Sequence, residues 1–194
     1  MKNYPNNPIN KRMFNLHCRD PGYSSAFCDS LILRLDQTPE LLQGLSGKIV
    51  LDIGCGYGTY LIDALRMVKE PKKVIHLDAN FEVFKSQKNL TLEEIDLLKN
   101  YWKDDPKICA DAHNLPFADN SIDIAIMYGT LLDNCEGLKH NFDREVIQEE
   151  LRRVLKPDGF YFGDDFIVSY EDEELSGFSS TKLLPGVFVY RKLK

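Results

Sequence analysis

The segment Val50-Leu51-Asp52-Ile53-Gly54-Cys55-Gly56-Tyr57-Gly58-Thr59-Tyr60-Leu61 constrains this chain more than any other. An apolar run ends beside an acid, three glycines alternate, and an amphipathic stretch follows. That order reads as buried strand, tight loop and helix. α/β proteins use it to bring backbone close to a nucleotide-like ligand at the carboxyl end of a strand.

The chain continues as alternating strand and helix. A first strand is expected over 49–53, and Leu61, Leu65 and Val68 give the following helix an apolar stripe. A second strand, 74–78, ends in an acid. Thr91-Leu92-Glu93-Glu94 is a capping box, opening a helix over 91–101 that carries Ile95 and Leu98. A third strand, 107–110, runs into Asp111, and a fourth spans 122–127. Ile147, Leu151, Val154 and Leu155 mark a helix that stops at Pro157-Asp158-Gly159. Phe160-Tyr161-Phe162 begins a fifth strand, and 187–190 supplies a late one. This alternation predicts a mostly parallel sheet with helices on both faces. Asp52, Asp78 and Asp111 then sit at the strand ends, where ligands bind in such sheets.

Residues 1–47 are expected to form an N-terminal arm and helices packed on a single domain, 48–194. Pro5, Pro8, Pro21 and Gly22 punctuate the arm. Phe27, Leu31 and Leu35 recur at helical spacing, and Thr38-Pro39-Glu40 is a helix start.

Composition narrows the function class. With 194 residues, 43% of them hydrophobic and 28% charged, the chain can bury a substantial core without disulfides or metals. The net charge of −6 disfavours nonspecific binding to nucleic-acid backbones. Cys18, Cys28, Cys55, Cys109 and Cys135 show neither CxxC pairing nor zinc-ligand spacing, so reduced thiols and no metal site are expected. No apolar signal core opens the chain, and no run approaches the roughly 20 apolar residues of a membrane span. The expectation is a soluble cytoplasmic protein, monomeric or homodimeric.

Three kinds of site place a glycine loop after a first strand. A P-loop needs a lysine for phosphates, and neither lysine nor arginine occurs between Leu51 and Leu65. A dinucleotide fingerprint needs its third glycine where this chain has Thr59; the glycine comes one place early, at Gly58. A nicotinamide-dependent oxidoreductase is therefore weakened, not removed. The remaining pattern is acid-x-G-x-G-x-G, Asp52 to Gly58. An acid beside the loop suits a ligand carrying an ammonium and a sulfonium better than one carrying phosphates.

That pattern resembles motif I of the class I S-adenosylmethionine-dependent methyltransferases. The resemblance continues in order along residues 48–165. Val74-Ile75-His76-Leu77-Asp78-Ala79 is similar to the family's second motif, whose acid binds the ribose. Cys109-Ala110-Asp111-Ala112-His113-Asn114-Leu115-Pro116-Phe117 is similar to its G-D-A-x-x-L-P-F segment, whose acid accepts from the adenine amino group. Ser121 to Met127 looks like its fourth strand, and Leu151 to Gly159 like its [L/V]-x-R-V-L-K-P-G-G segment.

The resemblance implies a three-layer αβα, Rossmann-like fold with a mostly parallel seven-stranded sheet and an antiparallel strand near the C-terminus. It implies S-adenosylmethionine as cofactor, held by Asp52, Gly54, Cys55, Gly56, Gly58, Asp78, Ala79, Asp111, Ala112 and Met127. The acceptor is expected to be a small molecule met near the end of the fourth strand, at 128–134. No Asn/Asp-Pro-Pro-Tyr/Phe tetrad follows that strand, which argues against the DNA and glutamine acceptors of enzymes that carry it. Tyr128 and Asp133 are candidate catalytic groups there, and His17 is a third if the arm folds over the site. A surface histidine and a loop acid are the plainer readings of His17 and Asp133. His76 reads as structural, and His113 equally as a pocket or a turn residue. The chain between Asp78 and Asp111 is long for the family, and little sequence follows the fifth strand for a final helix. A binding protein that keeps the cofactor pocket without turnover is the second functional reading.

Overall fold

Aliphatic runs build the sheet, and their length decides how it is covered. In the computed structural model, residues 47–55, 62, 71–80, 84, 104–127, 143–164, 177–184 and 187–193 are described. The strands are β1 (Ile49–Ile53), β2 (Lys73–Asp78), β3 (Lys107–Cys109), β4 (Ile122–Met127), β5 (Leu155–Asp164), β6 (Phe178–Leu184) and β7 (Val187–Lys192). They form one seven-stranded sheet in the order β3-β2-β1-β4-β5-β7-β6. β1 pairs in parallel with β2 and β4, β2 with β3, and β4 with β5. β7 is antiparallel to both β5 and β6. The fold is the expected α/β, Rossmann-like one, mostly parallel with an antiparallel C-terminal strand.

All six residues of β4 are buried, as are Val50 to Ile53 of β1. Such unbroken burial belongs to central parallel strands covered on both faces. On the other side of β5, Tyr161 and Tyr190 are register partners and stack with ring centroids 5.6 Å apart.

One described helix, α1 (Arg144–Val154), packs on the sheet. Asp143 caps it, its carboxylate accepting from the Val146 N–H at 3.3 Å. Ile147, Leu151 and Val154 recur on one stripe and are buried, each contributing about 1.5–3 kcal/mol of hydrophobic stabilisation. The helix was expected to include Leu155 and stop at Pro157; Leu155 is extended instead (φ −70, ψ 136) and begins β5. Leu151 to Leu155 keeps helical spacing and Leu155 is fully buried, so its apolar character could not report that the helix had stopped. Pro157 lacks an N–H and biases Lys156 away from helix.

β5 thus starts before Phe160. Its pairing with β4 shifts between Ile122 and Ile124, and Asp158 adopts φ +63 in the bulge. Gly159 is required there, since a Cβ would stand 2.8 Å from the Lys156 carbonyl oxygen and 3.0 Å from that of Asp123.

Other boundaries moved slightly. The third strand ends at Cys109, one residue short of expectation, β7 runs on to Lys192, and β6 had not been singled out. Lys192 reaches back to the end of α1, donating to the Arg152 and Leu155 carbonyls at 2.6 and 2.7 Å. The arm and helices of 1–46, the stripe of Leu61, Leu65 and Val68, and the helix over 91–101 lie outside the described residues.

Candidate functional site

The strand order reverses at β1, which has β2 on one side and β4 on the other. Open parallel sheets bind ligands beside such a reversal, at the carboxyl ends of the strands. Gly54 turns the chain there with φ +65, a conformation that favours glycine. Main-chain bonds then stitch neighbouring strand ends together. The Cys55 N–H donates to the Leu77 carbonyl at 3.0 Å, and the Ala110 N–H to the Asp78 carbonyl at 3.2 Å. The Cys109 thiol donates to the Ala79 carbonyl at 3.6 Å. Asp78 closes β2, and its carboxylate accepts from the Asn80 N–H at 2.8 Å. These bonds fix β1, β2 and β3 as one rim.

Below the rim lies a buried charge cluster. Asp52 and His76 are register partners on β1 and β2, both fully buried. Partners in register leave the sheet on the same face, and His76 Nδ1 lies 3.1 Å from the Asp52 carboxylate. On its far side, His76 Nε2 lies 3.6 Å from a carboxylate oxygen of Asp105, in the turn before β3. That distance is an ion-pair contact, too long for a formed hydrogen bond. Burial pushes His76 toward its neutral form, but Asp105 and Asp52 outweigh burial and raise its pKa above 6.5.

Cys55 completes the cluster, with one donor atom from each of Asp52, Cys55 and His76 lying within 4.8 Å of the others. Burial, then the charges of Asp52 and Asp78, push the Cys55 thiol far up. With the thiol held protonated, His76 links the two acids, hydrogen-bonded to Asp52 and in ion-pair contact with Asp105.

The loop after β3 is organised by a second histidine. His113 Nδ1 lies 2.6 Å from the Asp111 carboxylate, and the His113 N–H donates to the same oxygen at 2.9 Å. Its Nε2 accepts from the Asp143 N–H at 3.0 Å. An accepting Nε2 carries no proton, so Nδ1 is the donor to Asp111. His113 therefore joins Asp111 to the cap of α1, a turn-type contact that was one of the two roles the sequence left open for it.

Further along, Arg153 gathers this loop onto α1. It donates to the Leu115 and Phe117 carbonyls at 2.9 and 2.7 Å and pairs with Asp119 and Glu150. Glu150 in turn accepts from the Leu115 N–H at 2.7 Å.

The structure brings together much of what the sequence nominated. Asp52, Gly54, Cys55, Asp78, Ala79, Asp111 and Ala112 lie on or just past β1, β2 and β3. Met127 ends β4 next door and belongs to the buried core cluster. Gly56, Gly58, Tyr128, Asp133 and His17 lie outside the described residues. The reading of the residues missed Asp105, Asp143 and Arg153 as partners of this rim. A signal existed for the clasp. Asp52 and His76 each stand two places before the residue that closes their strand's apolar run, Gly54 and Asp78, so a parallel pairing sets them side by side.

The donor set tests which ligand fits. The described carboxylates, Asp52, Asp78 and Asp111, suit hydroxyl, amino and cationic groups and oppose phosphate. S-adenosylmethionine offers the first three and lacks the last, so the residues fit it.

Comparison with known proteins agrees. A methyltransferase-domain family profile matches residues 51–163, more than half of the chain. A demethylmenaquinone methyltransferase from Thermotoga maritima is 35% identical over 121 residues, 62% of this chain and 44% of that protein. A ubiquinone/menaquinone biosynthesis C-methyltransferase from Haemophilus ducreyi is 28% identical over 143 residues, 73% of this chain and 51% of that protein. The chain thus spans about half the length of these curated relatives, or less. The crystal structure of a putative S-adenosyl-L-methionine-dependent methyltransferase from Methanococcus maripaludis shares the fold, with TM-score 0.59 and 16% identity over 95% of this chain and 91% of that one. Among the described residues, no helix is long and apolar enough to cross a membrane. The chain belongs to the class I S-adenosylmethionine-dependent methyltransferase family, and its cofactor is S-adenosylmethionine.

Proposed function

We propose that this chain transfers a methyl group from S-adenosylmethionine to a small-molecule acceptor. One observation carries the reading: three carboxylates, Asp52, Asp78 and Asp111, stand at or near the carboxyl ends of three adjacent parallel strands, behind a tight glycine turn. Asp78 accepts from the two ribose hydroxyls. Asp111, oriented by His113, accepts from the adenine amino group, with Ala112 beside it. The loop from Gly54 through Gly58 faces the methionine ammonium and the sulfonium, with Asp52 buried beneath it.

The cofactor, when bound, supplies a methyl group on an already activated sulfur. The protein's own contribution is then alignment of the acceptor along the line of displacement and exclusion of water. A base is needed only for acceptors that lose a proton on attack. Tyr128 and Asp133, just beyond β4, are the candidates for that role, with His17 a third.

Relatives named as quinone and sterol C-methyltransferases support a low-molecular-weight, largely apolar acceptor. The test is transfer of label from methyl-labelled S-adenosylmethionine, first to demethylated quinols and sterols, then to a fractionated metabolite extract. Label in a small-molecule product is expected. Label confined to protein or nucleic acid would overturn the acceptor class. Cofactor binding with no label in any acceptor would favour a binding protein without turnover.

A further inference from the structure

We propose that His76 is a positioning residue for the cofactor site, its imidazolium clasping Asp52 of β1 and Asp105 of the turn before β3 together so that the rim above them is held for the donor. The inference rests on the cofactor reading of that rim. Its physical basis is proton inventory: an imidazolium donates from both nitrogens, whereas neutral imidazole keeps one N–H and satisfies one carboxylate.

The contacts are Nδ1 to Asp52 at 3.1 Å and Nε2 to Asp105 at 3.6 Å, and His76 itself is fully buried. Two carboxylates, one fully buried and one partly buried, would repel without a cation between them. The clasp matters for the cofactor because of where its ends lie. Asp52 is two residues before Gly54, the turn of the glycine loop, and Asp105 is two residues before β3, which leads into Asp111. Losing the proton on His76 frees one end, so the two halves of the rim are no longer held to one another.

Among the described residues, the ionisable groups facing His76 are Asp52 from β1, Cys55 from the loop after it, Asp105 from the turn before β3, and Lys107, its register partner on β3, whose ammonium donates to the Asp105 carbonyl at 3.3 Å. Cys55 stays a thiol through the relevant range, pushed far up by burial and then by the charges of Asp52 and Asp78. His76 is therefore the group that titrates. Its folded pKa lies above 6.5, raised against burial by Asp105 and Asp52, so the clasped form predominates at pH 6.5 and is lost as pH rises through the folded value.

The experiment measures S-adenosylhomocysteine affinity by calorimetry from pH 6.5 upward for the wild-type protein, His76→Asn and His76→Gln. The Asn amide can replace the Nδ1 donor toward Asp52, and the Gln amide the Nε2 donor toward Asp105, so each variant keeps one tether and neither titrates. Wild-type affinity should exceed that of both variants by about tenfold at pH 6.5, and the advantage should vanish as His76 deprotonates. Comparing proteins at each pH cancels the ionisation of the ligand itself. A constant ratio across pH, or a variant that binds as tightly as the wild type at pH 6.5, overturns the proposal.

Long-range ¹⁵N–¹H spectra of the wild-type imidazole give a readout that survives misfolding of the variants. Both nitrogens protonated at pH 6.5 is the expected result; one protonated nitrogen overturns the clasp. Failure of every protein to bind S-adenosylhomocysteine would strike the cofactor reading instead, while the spectra still decide the state of His76.

Discussion

Asp123 and Asp52 are both carboxylates on central strands, and their partners give them different work. Asp123 sits at the amino-terminal end of β4, 6% exposed, where its carboxylate accepts from the Ile49 N–H at 3.0 Å and from Lys156 and Lys48 at 3.0 and 3.3 Å. That set ties β1, β4 and the β5 bulge together at the end of the sheet opposite the rim. Asp52, at the other end, is paired with a histidine below the glycine turn. Asp78, on the rim itself, is the residue whose role is tested most simply. Asp78→Ala should weaken S-adenosylhomocysteine binding by about 10- to 100-fold, the loss of a charge-assisted hydrogen bond of roughly 1.5–3 kcal/mol. Calorimetric titration checks it, and unchanged affinity would remove Asp78 from the site. At this scale the sequence exposed the acids, because each follows an apolar run, but not their partners. Asp105 lies 29 residues from His76, Asp143 30 residues from His113, and Arg153 34 to 38 residues from Leu115, Phe117 and Asp119, and only the fold brings them close.

Between elements, α1 is the member that the rim depends on. It presents Asp143 to His113, Arg153 to the 115–119 loop, and its last carbonyls to Lys192. Arg153→Ala leaves the Leu115 and Phe117 carbonyls without that donor and should cost about 1–3 kcal/mol. Hydrogen exchange should speed up first in residues 115–120, with α1 protected longer. Uniform loss of protection across the sheet would contradict a local clamp. The strands were legible from apolar runs closed by acids or glycines, and α1 from its i, i+4, i+7 stripe. Its end was not legible, since Leu155 keeps the spacing of the stripe after the backbone has turned extended. β6, Phe178-Ser179-Ser180-Thr181-Lys182-Leu183-Leu184, carries too few apolar residues to announce itself and exists by pairing with β7.

For the whole molecule, charge linkage sets a stability optimum on the acid side of neutrality. Burial raises the Asp123 carboxyl, but the Ile49 N–H, Lys156 and Lys48 outweigh it and hold it below its ordinary 3.8. Hydrogen bonding from Arg153 lowers Glu150 below 4.5, against a smaller opposing effect of burial. Depressed carboxylates contribute stability above their unfolded pKa and lose it as pH falls through the folded one. His76 runs the other way: raised above 6.5, it contributes fully below that pH and loses its contribution as pH rises through its folded value. Urea unfolding should therefore show greatest stability between pH 4.5 and 6.5, with declines on both sides. An optimum above pH 8 would contradict the account of His76.

Ligand-induced stabilisation shows which ligand the glycine turn and the acids around it receive. S-adenosylhomocysteine at about 100 times its dissociation constant should raise the unfolding free energy by roughly 2.7 kcal/mol, while NAD at the same concentration leaves it unchanged. Stabilisation by NAD and none by S-adenosylhomocysteine would contradict the cofactor assignment.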